Sequence, residues 1–471
     1  MKRMIKTLCL SLGTCICLSS CSLAPQYFRP AAPIPVQWPG GEAYKTLKPG
    51  ATAVADIPWR DFFTDQQLQK VIALALENNR DLRLAALNIE KMRALYQIQR
   101  SELFPNVGAS TEWSKQRQIM SGLSSADQFV TSERYSINLG ASSWELDFLG
   151  RIRNLKDQAL EQFLATRQAR RSAQISLTAE VANAWLTLAA DREQLKLAQD
   201  TLGTQQAAYH LIQRRFEAGV SSELDLQQAQ TQMDAARADV ARYVTLVAQD
   251  ENAINLLAGC IVPAELLPDS ISGKLTAVKE LAPGMSSDVL LNRPDILQAE
   301  DILKGANANI GAARADLFPR ITLTANTGFA SSELSALFTH GTGTWNFAPQ
   351  IVIPIFNAGA TMATLKAAKA DRDIALAQYE KAIQTAFREV ADALARRGTI
   401  GEQMAAQQSF TSATAASYSL SKVRYEKGID SYLTVLDSQR SLYSAQQGLI
   451  NTRLTSLINL VTLYKVLGGG A

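Results

Sequence analysis

Proline sets the strongest limit on what this chain can fold into. None occurs between Pro105 and Pro263, and none from Pro354 to Ala471. Proline breaks helix interiors because it lacks the N–H and clashes with the preceding turn. Proline-free stretches this long, rich in Ala, Leu, Gln, Glu, Lys and Arg, therefore predict very long helices. Apolar residues keep helical spacing inside them: Leu177, Val181, Ala184 and Leu188 in the first, Ile383, Phe387, Val390 and Leu394 in the second. Steps of four, three and four mark a coiled-coil-like seam. The expected long helices run from Asp147 to Phe216 and from Asn357 to Tyr425, each spanning roughly 100 Å at about 1.5 Å per residue. Shorter helices are expected from about Asp65 to Leu103, Ser221 to Ala258, Ser287 to Leu317 and Asp430 to Val466.

An internal repeat organises these elements. Leu103-Phe104-Pro105 returns as Leu317-Phe318-Pro319, Arg215-Phe216-Glu217-Ala218-Gly219 as Arg424-Tyr425-Glu426-Lys427-Gly428, and Leu257-Ala258-Gly259 as Leu467-Gly468-Gly469. The offsets of 214, 209 and 210 residues make the chain two tandem copies, 65–262 and 263–471. Each copy also carries two segments of period two, the signature of strands. Tyr135, Ile137, Leu139 and Ala141 alternate with Ser136, Asn138, Gly140 and Ser142. Ile321, Leu323 and Ala325 alternate with Thr322, Thr324 and Asn326, and Phe347, Pro349, Ile351 and Ile353 with Asn346, Ala348, Gln350 and Val352. With a weaker strand from Val107 to Trp113, the expected strands cover about 107–114, 133–145, 320–329 and 344–355. They form two hairpins with long polar connections, Ser114 to Ser132 and Ala330 to Gly343. Strands of about ten residues match a tilted bilayer crossing, yet bacterial barrels begin at about eight strands. Since lipid does not tolerate an open sheet edge, closure must recruit further copies of the chain.

The N-terminus reads as a secretory signal over 1–20: Lys2, Arg3 and Lys6 precede an apolar run from Thr7 to Leu18, too short to span a bilayer. Leu18-Ser19-Ser20-Cys21 resembles the bacterial lipobox, making Cys21 the acylated first residue of the mature chain. Ser22 follows it, without the aspartate that retains lipoproteins in the inner membrane. The segment 21–64 is then a lipid-anchored, proline-rich lead, with Pro25 to Pro39 expected as an extended tether rather than a packed element. Cys9, Cys15 and Cys17 leave with the signal, so Cys260 is the one free thiol and no intrachain disulfide forms. The 47 basic residues fall by three to match the 44 acidic ones, which removes any electrostatic case for nucleic acid.

Residues for catalysis are missing. Only His210 and His340 are available, and no CxxC, HExxH, GxSxG or phosphate-cradling motif occurs. The expectation is a passive conduit with no enzymatic activity, cofactor or metal. A coiled-coil scaffold lipoprotein would not need two duplicated hairpins.

Several stretches carry a family resemblance: Cys21-Ser22-Leu23-Ala24-Pro25, Trp144-Glu145-Leu146-Asp147-Phe148-Leu149-Gly150-Arg151, Asn292-Arg293-Pro294-Asp295-Ile296, and Asn309 to Pro319. Pro354-Ile355-Phe356, Gly428 to Arg440 and Leu463 to Gly470 extend it. The chain resembles outer-membrane efflux proteins of the TolC superfamily, in the OprM-like (NodT-type) lipoprotein branch serving resistance-nodulation-division pumps. The resemblance implies a homotrimer joining a long-helix periplasmic α-barrel to a transmembrane β-barrel, four strands per chain and twelve per trimer. It further implies outer-membrane lipid around the barrel, and as partners a periplasmic adaptor and an inner-membrane resistance-nodulation-division transporter. The cargo would be drugs or other small toxic compounds; a duct for metal ions or for type I protein secretion is the alternative.

Two sites follow. Gly219 with Val220, and Gly428 with Ile429, have the pattern of left-handed helix ends followed by an apolar residue, and Ser221 or Ser222 and Asp430 can cap the returning helices; the resemblance implies that adaptor tips dock there. Leu433, Asp437 and Arg440 share one helical face just after the second turn. By spacing alone they could be an exposed i,i+3 ion pair beside a core leucine. The resemblance implies instead a closed periplasmic aperture at these three positions. The first copy carries Leu224, Gln228 and Thr231 there, so the constriction should rest on the second copy.

Overall fold

The computed structural model describes residues 22–44, 57–120, 128–271 and 286–469. Cys21 and the signal segment lie outside the described residues. The eight α-helices of the described residues are α1 Trp59–Phe62, α2 Gln66–Asn78, α3 Arg80–Ser101, α4 Arg151–Glu217, α5 Glu223–Ala258, α6 Pro294–Ala315, α7 Ala360–Glu426 and α8 Tyr432–Val466. Four strands accompany them: β1 Val107–Met120, β2 Gln128–Glu145, β3 Arg320–Ser331 and β4 Gly343–Val352. The duplication is metrically close, since α4 and α7 both have 67 residues and α3 and α6 both have 22. The left-handed glycines pair Gly219 with Gly428 and Gly259 with Gly468. Gly259 thus corresponds to Gly468 rather than to the expected Gly469, at the same offset that relates Gly219 to Gly428.

The helix expected from Asp65 to Leu103 is two helices. Asn79 ends α2 and starts α3, because its amide both accepts from the Leu82 N–H at 2.9 Å and donates to the Leu257 carbonyl at 2.9 Å. A short polar side chain that offers the backbone partners of its own breaks a helix without proline.

The chain packs as two compact units, and each draws on both tandem copies. One contains the described residues among Met1–Ala31 together with Asn88–Thr166 and Gln298–Tyr379. Its centre is an antiparallel sheet in the order β1-β2-β3-β4, whose β1 and β4 edges have no strand partner among the described residues. The register aligns the alternating faces: Leu139 lies opposite Ala109 and Thr327, Ile137 opposite Thr111 and Phe329, Ala325 opposite Phe347. One side is therefore apolar across all strands, while Ser110, Asn138, Asn326 and Asn346 make the other polar. β1 and β2 run well past the expected ends, to Met120 and from Gln128, so most of the connection expected from Ser114 to Ser132 is ladder. No apolar face marks this extension in the sequence; cross-strand pairs hold it instead, Lys115 against Glu133 and Arg117 stacked 4.6 Å from the Phe129 ring centre. β4 stops at Val352, short of 355, just before Pro354, which has no N–H for a ladder.

The strand-to-helix turn explains the Trp144–Arg151 motif. Arg151 grips Glu145 with bonds of 2.8 and 2.7 Å, and the Asp147 carboxylate accepts from the Arg153 backbone N–H at 2.9 Å. The carboxylates thereby satisfy donors at the start of α4.

The proline-rich lead is extended but packed, which corrects the expectation of a loose tether. Extended backbone leaves its carbonyls unpaired, and helix side chains capture them. In this unit Ser22 Oγ donates to Asn154 Oδ1 at 2.8 Å, Arg314 Nη1 to the Leu23 carbonyl at 2.9 Å and Asn307 Nδ2 to the Pro25 carbonyl at 2.7 Å. The Tyr27 hydroxyl donates to Glu300 at 3.2 Å, and Arg29 pairs with the same buried carboxylate. Gly311 gives the strap room, since a Cβ there would lie 2.6 Å from the Ala24 nitrogen and 2.4 Å from Asn154 Nδ2. Gly311→Val should therefore cost about 1–3 kcal/mol by overpacking and expose residues 22–31 to limited proteolysis, the cleavage rate being the measurement.

The second unit comprises the described residues of Ala32–Leu87, Arg167–Leu297 and Glu380–Ala471. The lead continues here: Ser287 donates from Oγ to the Pro35 carbonyl at 2.6 Å and from its N–H to the Val36 carbonyl at 3.0 Å, and Trp38 stacks on Phe387 at 5.1 Å. The core holds Trp185, Leu186, Leu188, Ile383, Val390 and Leu394. Phe62 stacks on Tyr464 at 3.9 Å between centroids. Arg293, of the Asn-Arg-Pro-Asp motif, bridges Asp295 and Glu389 and donates to the Val466 carbonyl at 2.7 Å, fastening the end of α8.

Candidate functional site

In the second unit, helices α4 and α5 meet at one turn and α7 and α8 at another. Both are Schellman caps: Val220 N–H reaches the Arg215 carbonyl at 2.8 Å and Gly219 N–H that of Phe216 at 2.9 Å, while Ile429 and Gly428 do the same to Arg424 and Tyr425 at 2.9 Å. Gly219 and Gly428 have φ of 75° and 72°, a conformation glycine adopts without penalty. Val220 and Ile429 are exposed at the turns.

The returning helices begin differently. α5 starts with a full capping box, Ser222 Oγ accepting from Asp225 N–H at 3.1 Å and Asp225 accepting back from Ser222 N–H at 3.1 Å. These hydroxyl bonds hold the Asp225 carboxyl below its usual range. α8 has Ser431 at its N-cap with no side-chain bond to the helix backbone; its hydroxyl meets that of Thr434 at 3.4 Å instead. Asp430, expected as that cap, instead pairs with Arg424 at 2.6 and 2.9 Å across the turn, because the guanidinium offers a bidentate partner.

The start of α8 has two distinct faces. Tyr432, Val435 and Leu436 are buried with Ile212 of α4 and Ala229 of α5, and Tyr209, Leu226, Tyr418 and Tyr425 pack around them. Arg215 caps the group by donating to the Tyr425 hydroxyl at 2.6 Å. Leu433, 54% exposed, Asp437 and Arg440 lie on the open face. Leu433 is therefore not core in the isolated chain, and Asp437 and Arg440 form no ion pair with each other among the described residues. The corresponding Leu224 of α5 is 65% exposed, with Gln228 and Thr231 following on its helix. The structure brings Leu433, Asp437 and Arg440 onto one surface and keeps Leu224, Gln228 and Thr231 on a separate helix.

One constellation gave no signal in the sequence. Asp191 of α4 and Asp250 of α5 are neighbouring carboxyls, half-buried between the helices. Burial first, then the Asp191 carboxyl beside it, push Asp250 up to about 7. The two residues are far apart in sequence, and only the return of α5 along α4 brings them together. A raised acid pKa means the folded state holds a proton that the unfolded state has released. The pair's contribution is thus complete below the ordinary carboxylate value near 3.8, and is lost as pH rises through about 7. Thermal unfolding followed from pH 4 to 8 should show wild type losing ground to Asp250→Asn across this window, with a constant difference above it.

Among the described residues no group of His, Cys, Asp and Glu is placed to hold a metal. The outer membrane efflux protein family model matches the chain twice, over residues 71–260 and 285–469. The toluene efflux pump outer membrane protein TtgC of Pseudomonas putida is 48% identical over 468 residues, 99% of this chain and 96% of the relative. Outer membrane protein OprJ of Pseudomonas aeruginosa is 39% identical over 453 residues, 96% and 94% of the two chains. The open-state structure of the Neisseria gonorrhoeae MtrE outer membrane channel superposes with a TM-score of 0.84 at 37% identity, covering 96% of this chain and 98% of that one. Two matches of one family model on two tandem copies, with relatives aligned end to end, place the chain in its family: it belongs to the outer membrane efflux proteins.

Proposed function

We propose that three copies of this chain form the outer-membrane channel of a tripartite efflux pump, passively conducting drugs, solvents or other small toxic compounds from the periplasm to the exterior. The observation that carries this reading is the four-stranded sheet, apolar on one side, polar on the other and unpaired at both edges. Lipid requires every backbone group to be paired, and joining β4 of one copy to β1 of the next closes twelve strands around a polar lumen. The relatives named for toluene and antibiotic efflux favour small apolar cargo over metal ions or proteins.

In this reading Cys21 carries the acyl anchor, the Gly219–Val220 and Gly428–Ile429 turns meet a periplasmic adaptor, and a resistance-nodulation-division transporter supplies the energy. Leu433, Asp437 and Arg440 of three copies converge as the periplasmic aperture. Photo-cross-linkers at Ala218 and Lys427 should trap an adaptor in cells, while one at Ser412, away from the turns, should not. Deletion of the gene should in parallel lower tolerance to solvents and antibiotics. Adaptor capture equal at all three positions, or none at the turns, would count against the docking assignment.

A further inference from the structure

The apolar face of the sheet is not uniform. At one end, Ile321 lies opposite Ile351; along the strands follow Ala325 and Phe347, then Leu139, Thr327 and Trp345, then Ile137 and Phe329, and finally Trp113 opposite Tyr135. From Ile321 to the Trp113–Tyr135 row is about ten residues, roughly 33 Å along the strand. Strands tilted by about 40° turn this into an apolar band of about 25 Å, and the stacked Trp113 and Tyr135 rings lie at its rim, as interfacial aromatics do. The two rows beyond the rim on the same face carry Lys115, opposite Glu133, and Arg117, opposite Thr131. Arg117 lies over the Phe129 ring and makes no ion pair among the described residues.

Below them the same face holds an open apolar cleft of about 680 Å³, lined by Ile137, Leu139, Phe329 and Trp345 and overhung by Phe338. Phe338 comes from the β3–β4 connection and meets Phe329 edge-on at 5.5 Å. Its ring is largely exposed, and Trp345 is 80% exposed.

We infer that this surface is a binding site for a phosphorylated, multi-acylated glycolipid of the outer leaflet. An acyl chain lies in the cleft beneath Phe338, and its phosphate meets Arg117 and Lys115 about four residues further along the strands. The cations stand where headgroup phosphates sit, above an aromatic rim, and the apolar cleft stands where the chains descend. Glu133 sets the charge to a net single positive, so a single phosphate is the matched partner. Arg117, delocalised and held flat by the phenyl ring, offers a fork that fits phosphate oxygens.

The inference rests on the sheet being embedded in the membrane, which is tested separately: a nitroxide at Phe347→Cys in a Cys260→Ser background should report a lipid depth near mid-bilayer. With that placement established, the purified full-length protein in detergent is titrated with bis-phosphorylated hexa-acyl lipid A, its dephosphorylated form, and phosphatidylglycerol, and bound lipid is counted by native mass spectrometry. Lipid A should bind at least about tenfold more tightly than the other two. Lys115→Gln with Arg117→Gln, and separately Phe338→Ser, should each remove that preference, while Glu133→Gln should strengthen it. Equal binding of all three lipids, an unchanged preference in the double variant, or weaker lipid A binding in Glu133→Gln would overturn the assignment.

Discussion

Replacing Asp437 and Arg440 together by alanine should raise the single-channel conductance of the protein in planar bilayers without changing its assembly. Both side chains are exposed on the face of α8 that also presents Leu433, and neither pairs with the other within the chain. Their charges are therefore available to a neighbouring copy around a three-fold axis. Exposed ion pairs contribute about 0.5–1 kcal/mol each, so three of them bias the closed state by about 1.5–3 kcal/mol. That is roughly a ten- to hundredfold shift in the closed-to-open ratio when they are removed. Leu433 would remain and keep part of the barrier through dewetting, so Leu433→Ser added to the double variant should open the channel further. The equivalent first-copy change, Gln228→Ala with Thr231→Ala, should leave conductance within error of wild type. Unchanged conductance in correctly assembled double-variant trimers would remove the aperture assignment.

The second large effect is expected in the sheet. Gly140 and Gly328 lie on its polar face, each against the backbone of the neighbouring strand. A Cβ at Gly140 would sit 2.2 Å from the Ala325 carbonyl oxygen, and one at Gly328 would sit 2.0 Å from that of Ile137. Backbone on both sides leaves nothing flexible to give way. Gly328→Val should thus cost at least about 1–3 kcal/mol and, more consequentially, force apart the ladder that joins the hairpin of the first copy to that of the second. A sheet split there offers two extra open edges in lipid, which the bilayer does not accommodate. The expected readout is loss of the heat-sensitive oligomer band on semi-native gels, with helical circular dichroism largely retained. Gly140→Ala should give a smaller loss than Gly140→Val. Normal oligomers in Gly328→Val would show that the strands can separate without penalty.

Much of this was legible before any coordinates. Proline-free composition located α4 and α7, and period-two alternation located β3, β4 and the inner part of β2, with a weaker run marking the start of β1, because one buried or lipid-directed face leaves a mark in every turn or pleat. What escaped lacked such a face. The outer halves of β1 and β2 lack an alternating apolar face and are held by cross-strand pairs such as Lys115 with Glu133. The break at Asn79 depends on two hydrogen bonds, one of them to Leu257, far along the chain. The packing of the proline-rich lead depends on Gly311 and on a buried Glu300, neither of which stands out in its own helix. The turns at Gly219 and Gly428 were readable because their chemistry is local. The pairing of Asp191 with Asp250 was not, because it exists only once α5 has folded back.

The near-identical metrics of the two copies, 67 residues in α4 and α7, set beside their different residues at the hairpin mouths, have an evolutionary consequence. In the proposed trimer, two equivalent hairpins in one reading frame mean that a substitution at 433, 437 or 440 alters only half of the helix ends around the ring. The other half, begun by the Ser222–Asp225 box, is left unchanged by it. With the aperture on the second hairpin, as proposed, a lineage can retune what its channel admits by point changes there. A symmetric ring built from single-copy subunits would have to change every position at once.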